Sequence, residues 1–119
     1  MVTLHWIKCQ NDEWYNLHNV NLESIGDLTG VYMIWHIGKT PHVVRIGQGN
    51  IKERLHEDRL NEDIHHYSLE GNLFVTWAEA PSEQLDGIER YLADIWQPQL
   101  GFGFPDVEPI KVNSPLMFS

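Results

Sequence analysis

Gly30-Val31-Tyr32-Met33-Ile34-Trp35-His36-Ile37-Gly38-Lys39-Thr40-Pro41-His42-Val43-Val44-Arg45-Ile46-Gly47-Gln48-Gly49-Asn50 is the stretch on which the fold turns. Two apolar runs rich in β-branched and aromatic residues, Val31 to Ile37 and His42 to Ile46, flank a Gly-Lys-Thr-Pro turn, the pattern of a β-hairpin. Neither run alternates cleanly between apolar and polar. Strands without an outward polar face are usually covered on both sides, so the hairpin belongs at the centre of the domain. Tyr32 and Arg45 are the polar anomalies in it. The second strand leaves through Ile46-Gly47-Gln48-Gly49 into a helix starting at Asn50, which brings backbone N–H groups and a helix N-terminus to one place, a combination that attracts anions.

Working outward, Asn50 is a good N-cap with Glu53 at the capping-box position, so a helix is expected from Ile51 to about Leu60. At about 100° per residue Ile51, Arg54, Leu55 and Asp58 share one side of it. Arg54 then either leans toward the sheet or pairs with Asp58 at i,i+4 on a solvated face. Asn61-Glu62-Asp63-Ile64-His65-His66-Tyr67-Ser68 reads as a solvated loop; its histidines, with His56, match no standard zinc spacing. Asn72 to Ala78 reads as a third strand after a Glu70-Gly71 turn. Pro81 suits the first turn of a second helix, with Glu83 and Asp86 near its start. The stripe Leu85, Ile88, Leu92 and Ile95 marks its buried side through Trp96. Glu89 lies at the edge of that stripe, where a carboxylate needs a cation, donors or a metal; Arg45 or Arg54 is the plain structural partner.

On the N-terminal side, residues 3 to 9 alternate as a strand, and Gln10 to Glu13 turn the chain toward Trp14 to Leu17, a small N-terminal hairpin. Leu22, Ile25 and Leu28 fit a short turn of helix. Beyond Gln97, six Pro and Gly residues interspersed with Phe102, Phe104, Leu116, Met117 and Phe118 read as an irregular tail draped over the core. Trp35, Trp77 and Trp96 are expected in the core, and Cys9 is an inert thiol.

At 119 residues the chain suits a single domain, residues 1–119. A hydrophobic content of 42% with five Trp excludes a disordered chain. No apolar run reaches the roughly 18 residues of a membrane span. A single cysteine and an N-terminus without a signal-peptide pattern point to a cytoplasmic setting with no membrane partner. The formal charge of −9 argues against a broad electrostatic grip on nucleic acid. Yet Lys39, Arg45, Lys52, Arg54 and Arg59 share one segment with only Glu53, Glu57 and Asp58 as acids, a local surplus of two positive charges. That suits a local phosphate contact.

Taken in order, Gly30-Val31-Tyr32, Arg45-Ile46-Gly47, Gln48-Gly49, Arg54 and Glu89 resemble the GIY-YIG nuclease family over roughly Gly30 to Gly101. The resemblance implies an α/β (α+β) fold: a small three-stranded antiparallel sheet flanked by helices in a core motif region 30–101. The N-terminal β-hairpin extension 1–29 and the tail 102–119 are added to it. It implies an endonuclease that hydrolyses phosphodiester bonds of nucleic acid, DNA above all, with one divalent ion, Mg²⁺ or Mn²⁺. Tyr32 would orient or deprotonate the attacking water, its pKa lowered by Arg45, Arg54 and the metal; Arg54 would stabilise the transition state; Glu89 would hold the metal. Gly47, Gln48, Gly49 and Lys52 form the expected phosphate-binding set, although Gly47 and Gly49 also suit a simple tight turn. The chain departs from the family pattern at Arg45, where the second tripeptide begins with tyrosine, at Asp58, where a tyrosine or histidine is common, and at Gly101, where an Asn often closes the motif. Arg45 is then a candidate phosphate contact, and His56 a candidate replacement for the missing polar group. The other reading is a non-catalytic module holding a phosphate, a nucleic-acid end or a protein partner. No specificity domain is recognisable in the chain, which would take its specificity from its own loops or from a protein partner.

Overall fold

The computed structural model describes residues 1–37, 41–69, 72–101 and 103–116. The expected turn at Gly38-Lys39-Thr40, the Glu70-Gly71 turn, and Phe102, Met117 and Phe118 of the tail lie outside the described residues. The chain folds as β1 (Tyr15–Asn16), β2 (Thr29–Ile37), β3 (Pro41–Asn50), α1 (Ile51–Leu60), α2 (Glu62–His66), β4 (Leu73–Glu79) and α3 (Leu85–Trp96). It is an α+β fold with a four-stranded antiparallel sheet in the order β1-β4-β2-β3.

β2 lies between β4 and β3 and is buried from Gly30 to His36. Its side chains alternate between two cores, because successive residues of a strand face opposite ways. Val31, Met33 and Trp35 pack with Leu85, Ile88 and Leu92 of α3. Tyr32 and Ile34 face Ile51 and Leu55 of α1 and Ile64 of α2. Covering on both faces is what removed the polar alternation from the sequence. β3 is an outer strand with an irregularity between its Arg45 and Val43 pairings. Regular strand carbonyls alternate sides; here Val43 and Val44 both offer theirs to the tail, accepting from Gln99 N at 3.1 Å and Leu100 N at 2.9 Å. The tail thus closes that stretch of edge.

Four expectations need correction. The sheet has a fourth strand, since β1 pairs with β4 in the register Tyr15 to Val75. Residues 3–9 do not pair with it as a hairpin. They run beside β4, where Ile7 N donates to Trp77 O (3.0 Å) and the Thr76 hydroxyl donates to Ile7 O (2.7 Å), and they are clasped to the tail by Asn113, whose Oδ1 accepts from Leu4 N and whose Nδ2 donates to Leu4 O. Asn61 to Ser68 is α2 followed by a 3₁₀ turn rather than a solvated loop: Asn61 caps it, accepting from Asp63 N and Ile64 N, and Ile64 is fully buried. Ile95 is 49% exposed, the stripe of α3 having rotated toward solvent by its last turn, and Ala93 takes the buried place. Pro81 precedes a 3₁₀ turn, Ser82–Gln84, that leads into α3. Among the described residues no helix is long and apolar enough to cross a membrane.

At the centre of the sheet Gly30 passes so close to β4 that a Cβ there would stand 2.0 Å from the Ala78 carbonyl oxygen. Gly30→Ala is therefore expected to cost about 2 to 3 kcal/mol in urea-unfolding free energy, the usual toll of overpacking against backbone. An unchanged unfolding midpoint would show that this approach is absent.

Candidate active site

The outer position of β3 decides where the polar residues meet. α1 packs on one face of the sheet and α3 on the other, so their side chains converge beyond the β3 edge. Tyr32, Arg45, Arg54 and Glu89 line one cleft of about 400 Å³ there. Its floor is the backbone of Gly47, Gln48 and Gly49, and its far wall is built from Gly101, Gly103, Phe104 and Pro105 of the tail. Positions far apart in the chain are thereby gathered around one space open to solvent.

Each side chain is placed by a local cause. Tyr32 pairs with Gly47 across the sheet, and a Cβ on Gly47 would lie 2.5 Å from the phenol oxygen, so the ring occupies space that only glycine leaves. Arg45 sits on the same face, donating from Nε to the Tyr32 hydroxyl at 3.4 Å and lying 3.5 Å from Asp58 Oδ1. Arg54 lies over Gly49, whose φ of +121° suits glycine, and donates from Nε to Gln48 O at 3.1 Å. The Gln48 amide donates to Asp86 Oδ1 at 2.7 Å and also hydrogen-bonds Glu89, bridging two carboxylates one turn apart on α3.

The electrostatics bears on one expectation directly. Tyr32 is 1% exposed, and its pKa is pushed well above the ordinary phenol value, by burial first and then by the Asp58 carboxylate; Arg45 opposes this and does not win. Arg45 alone therefore does not bring the Tyr32 phenol down toward the range of a proton acceptor. Asp58 is itself raised by burial, against the pull of Tyr32 and Arg45, and its Oδ2 is buried without a hydrogen-bond partner. Burial works against the Arg45 charge too, but Tyr32, Asp58 and Glu89 outweigh it and hold the guanidinium protonated. Glu89 is half-buried with its carboxyl raised, by burial first, while Gln48 and the two arginines pull it down and Asp86 pushes it up.

Other expected positions fall elsewhere. The Arg54–Asp58 pair does not form, because Asp58 turns into the core to Arg45; Arg54 meets Glu57 instead, 3.6 Å apart and exposed. His56 and Lys52 line a separate cleft of about 520 Å³ against Glu23 and Asp27, with Lys52 Nζ 2.8 Å from Glu23 Oε2, so neither serves the Tyr32 cleft. Asp86 and Phe104 join the site unannounced. Asp86 was legible, one turn before Glu89; Phe104 was not, since nothing local says where an irregular tail crosses the sheet. Among the described residues no group of three or more His, Cys, Asp or Glu is gathered to hold a metal alone. The donor set would suit Mg²⁺ better than zinc: one or two carboxylates, Glu89 and Asp86, beside room for water.

Comparison with known proteins returns no match: no family model matches the chain, no curated protein matches its sequence and no solved structure matches its fold. The class of site therefore rests on the chemistry in the cleft: two guanidiniums, a half-buried carboxylate and a phenol.

Because the folded Asp58 carboxyl holds its proton more tightly than the ordinary value of 3.8, its contribution to stability is greatest below that value and is lost as pH rises through the raised one. Relative to Asp58→Asn, the wild type is expected to lose stability on going from about pH 4 to pH 7 in urea titrations. A difference that moves the other way would show that the buried carboxylate is favoured in the fold.

Proposed function

We propose that the chain is a divalent-metal-dependent nuclease, a divergent relative of the GIY-YIG enzymes, that hydrolyses phosphodiester bonds of nucleic acid in the Tyr32–Arg54–Glu89 cleft. The observation that carries this reading is the convergence of those three groups and Arg45 on one solvent-open space. Hydrolysis adds water across one P–O ester bond and leaves a phosphate monoester and a free hydroxyl. A bound divalent ion supplies Lewis-acid stabilisation of the charge on the phosphate oxygens. Glu89 would hold it, with Asp86 at hand through the Gln48 bridge.

The protein groups divide the rest of the work. Arg54, anchored through Nε, keeps its terminal nitrogens for a phosphate oxygen, the exposed Glu57 contact being weak enough to yield. A guanidinium already in place when charge develops lowers the barrier without reorganising solvent. Tyr32 orients the attacking water by hydrogen bonding and leaves its proton to solvent or substrate. Arg45 is tied to Asp58 and tunes Tyr32 rather than travelling with the phosphate.

A second reading has its own observation. The near-complete burial of the Tyr32 hydroxyl beside Arg45 and Asp58 suits a module that holds a phosphate without cutting the strand. Labelled single-stranded, duplex and branched DNA and RNA, incubated with the protein in Mg²⁺ or Mn²⁺, separate the two. Cleavage is expected, stopped by EDTA, reduced to background in Glu89→Ala and slowed about a hundredfold or more in Arg54→Ala. Intact substrates throughout, or a Glu89→Ala variant as fast as wild type, would leave only the holding module.

A further inference from the structure

The tail wall of the cleft is the one part of the site with no role in hydrolysis. Phe104 is a half-buried aromatic on the cleft surface, its ring 3.4 Å from where a Cβ on Gly101 would stand. Gly101 and Gly103 take positive φ angles of 96° and 70°, which only glycine adopts readily, so the backbone can bend around the ring. The segment is pinned on both sides. Upstream, Gln99 and Leu100 donate to the carbonyls of Val43 and Val44; downstream, Arg90 Nη1 donates to Pro105 O at 3.3 Å, while its Nε binds Asp94 at 3.1 Å. Phe104 therefore stands next to a residue whose backbone is tied down, on the same cleft as two guanidiniums.

The charge inventory narrows what the surface is for. Arg45 is matched by Asp58, Arg54 has Glu57 beside it, and Glu89 and Asp86 stand on the opposite side. Duplex binding draws its affinity from neutralising many phosphates, about six to ten in a typical site, and this cleft has cations for one or two. Its volume is that of a small-molecule pocket rather than of a groove that follows a duplex. What remains to supply affinity is the face of a base, and a base in a duplex has that face already stacked.

We propose that the cleft takes single-stranded nucleic acid, with one base stacked on Phe104 and the adjoining phosphate at Arg54. This rests on the phosphodiester reading of the same cleft and adds the form of the substrate. Because stacking needs no metal, it is read as binding in EDTA, by anisotropy of a labelled short oligothymidylate, its abasic analogue and a duplex of the same length. Wild type is expected to bind the oligothymidylate more tightly than the duplex. Phe104→Ala and Phe104→Leu are expected to weaken it about tenfold, Phe104→Trp to retain it, and the abasic strand to bind wild type as weakly as the oligothymidylate binds Phe104→Ala. The Leu variant keeps the apolar bulk, so its loss separates stacking from a collapsed tail; unchanged melting temperatures complete that control. Equal binding by wild type and Phe104→Leu, or tighter binding of the duplex, overturns the stacking proposal alone. Failure of wild type to bind any of the three polymers in EDTA likewise overturns this proposal, while the phosphodiester reading stands or falls on cleavage in Mg²⁺ or Mn²⁺.

Discussion

Tyr32 carries a hydroxyl into a strand covered on both faces, with only the cleft beside it open to water, and much of the cleft follows from how the protein answers that need. A buried polar group left unpaired costs on the order of 1 to 3 kcal/mol, so partners must be brought to it. They come from two elements: Arg45 from β3, donating at 3.4 Å, and Asp58 from α1, whose carboxylate lies 3.5 Å from the same Arg45 nitrogen. The ring reaches them because Gly47 opposite has no side chain to block it. The trio is coupled: removing either charged member would leave the other half-desolvated and the phenol without its neighbour.

This coupling changes how the departures from the GIY-YIG pattern are understood. Taken one at a time, the arginine that begins the second tripeptide and the aspartate one turn after the helix arginine are two unrelated mismatches to the pattern the sequence resembles. In space they are a single ion pair around Tyr32. The two residues supply opposite charges to one buried spot, where either alone would be an uncompensated ion. The third departure, Gly101, lies on the wall of the same cleft, at a positive φ that bends the tail toward it. All three positions lie at or beside one space: Arg45 and Gly101 line the cleft, and Asp58 meets it through Arg45.

The parts of the fold legible in the chain were those written locally. The doubly covered hairpin, the Asn50 cap of α1 and the apolar face of α3 each depend on residues within a turn or two of one another, and their placement in the sequence and in space agree. What failed was the choice of distant partners. Tyr15 and Asn16 pair with β4, a selection no alternation pattern encodes. Asp58 was correctly put on the buried side of α1, but the one partner weighed for it was the nearby Arg54, as an alternative to Arg54 leaning toward the sheet, whereas the core offered Arg45. α2 hid because its only fully buried anchor is Ile64, too little for a periodic signal, though the Asn61 cap and the acids after it were visible. The Tyr32 shift follows the same pattern: the cations were visible along the chain, whereas burial, and after it the Asp58 carboxylate, arrive through the fold and outweigh Arg45.

The cleft and the protection of the sheet edge are one feature. An outer strand exposes a row of N–H and C=O groups that invite a foreign strand, and natural sheets cover or bend such rows. β3 does both: its irregularity at Val43 and Val44 turns two successive carbonyls outward, and the tail, running in the same direction as β3, satisfies them with Gln99 and Leu100. Continued pairing along β3 would have buried Gly47, Gln48 and Gly49 and left no site. Instead the tail parts from the strand at Gly101, and the glycine-rich end of β3 stays open between α1 and α3. The departure therefore does two things at once, setting the extent of edge that is sealed and raising the wall that gives the open remainder its shape. Any substitution that straightens Gly101 acts on both, which binds the integrity of the sheet to the geometry of the cleft.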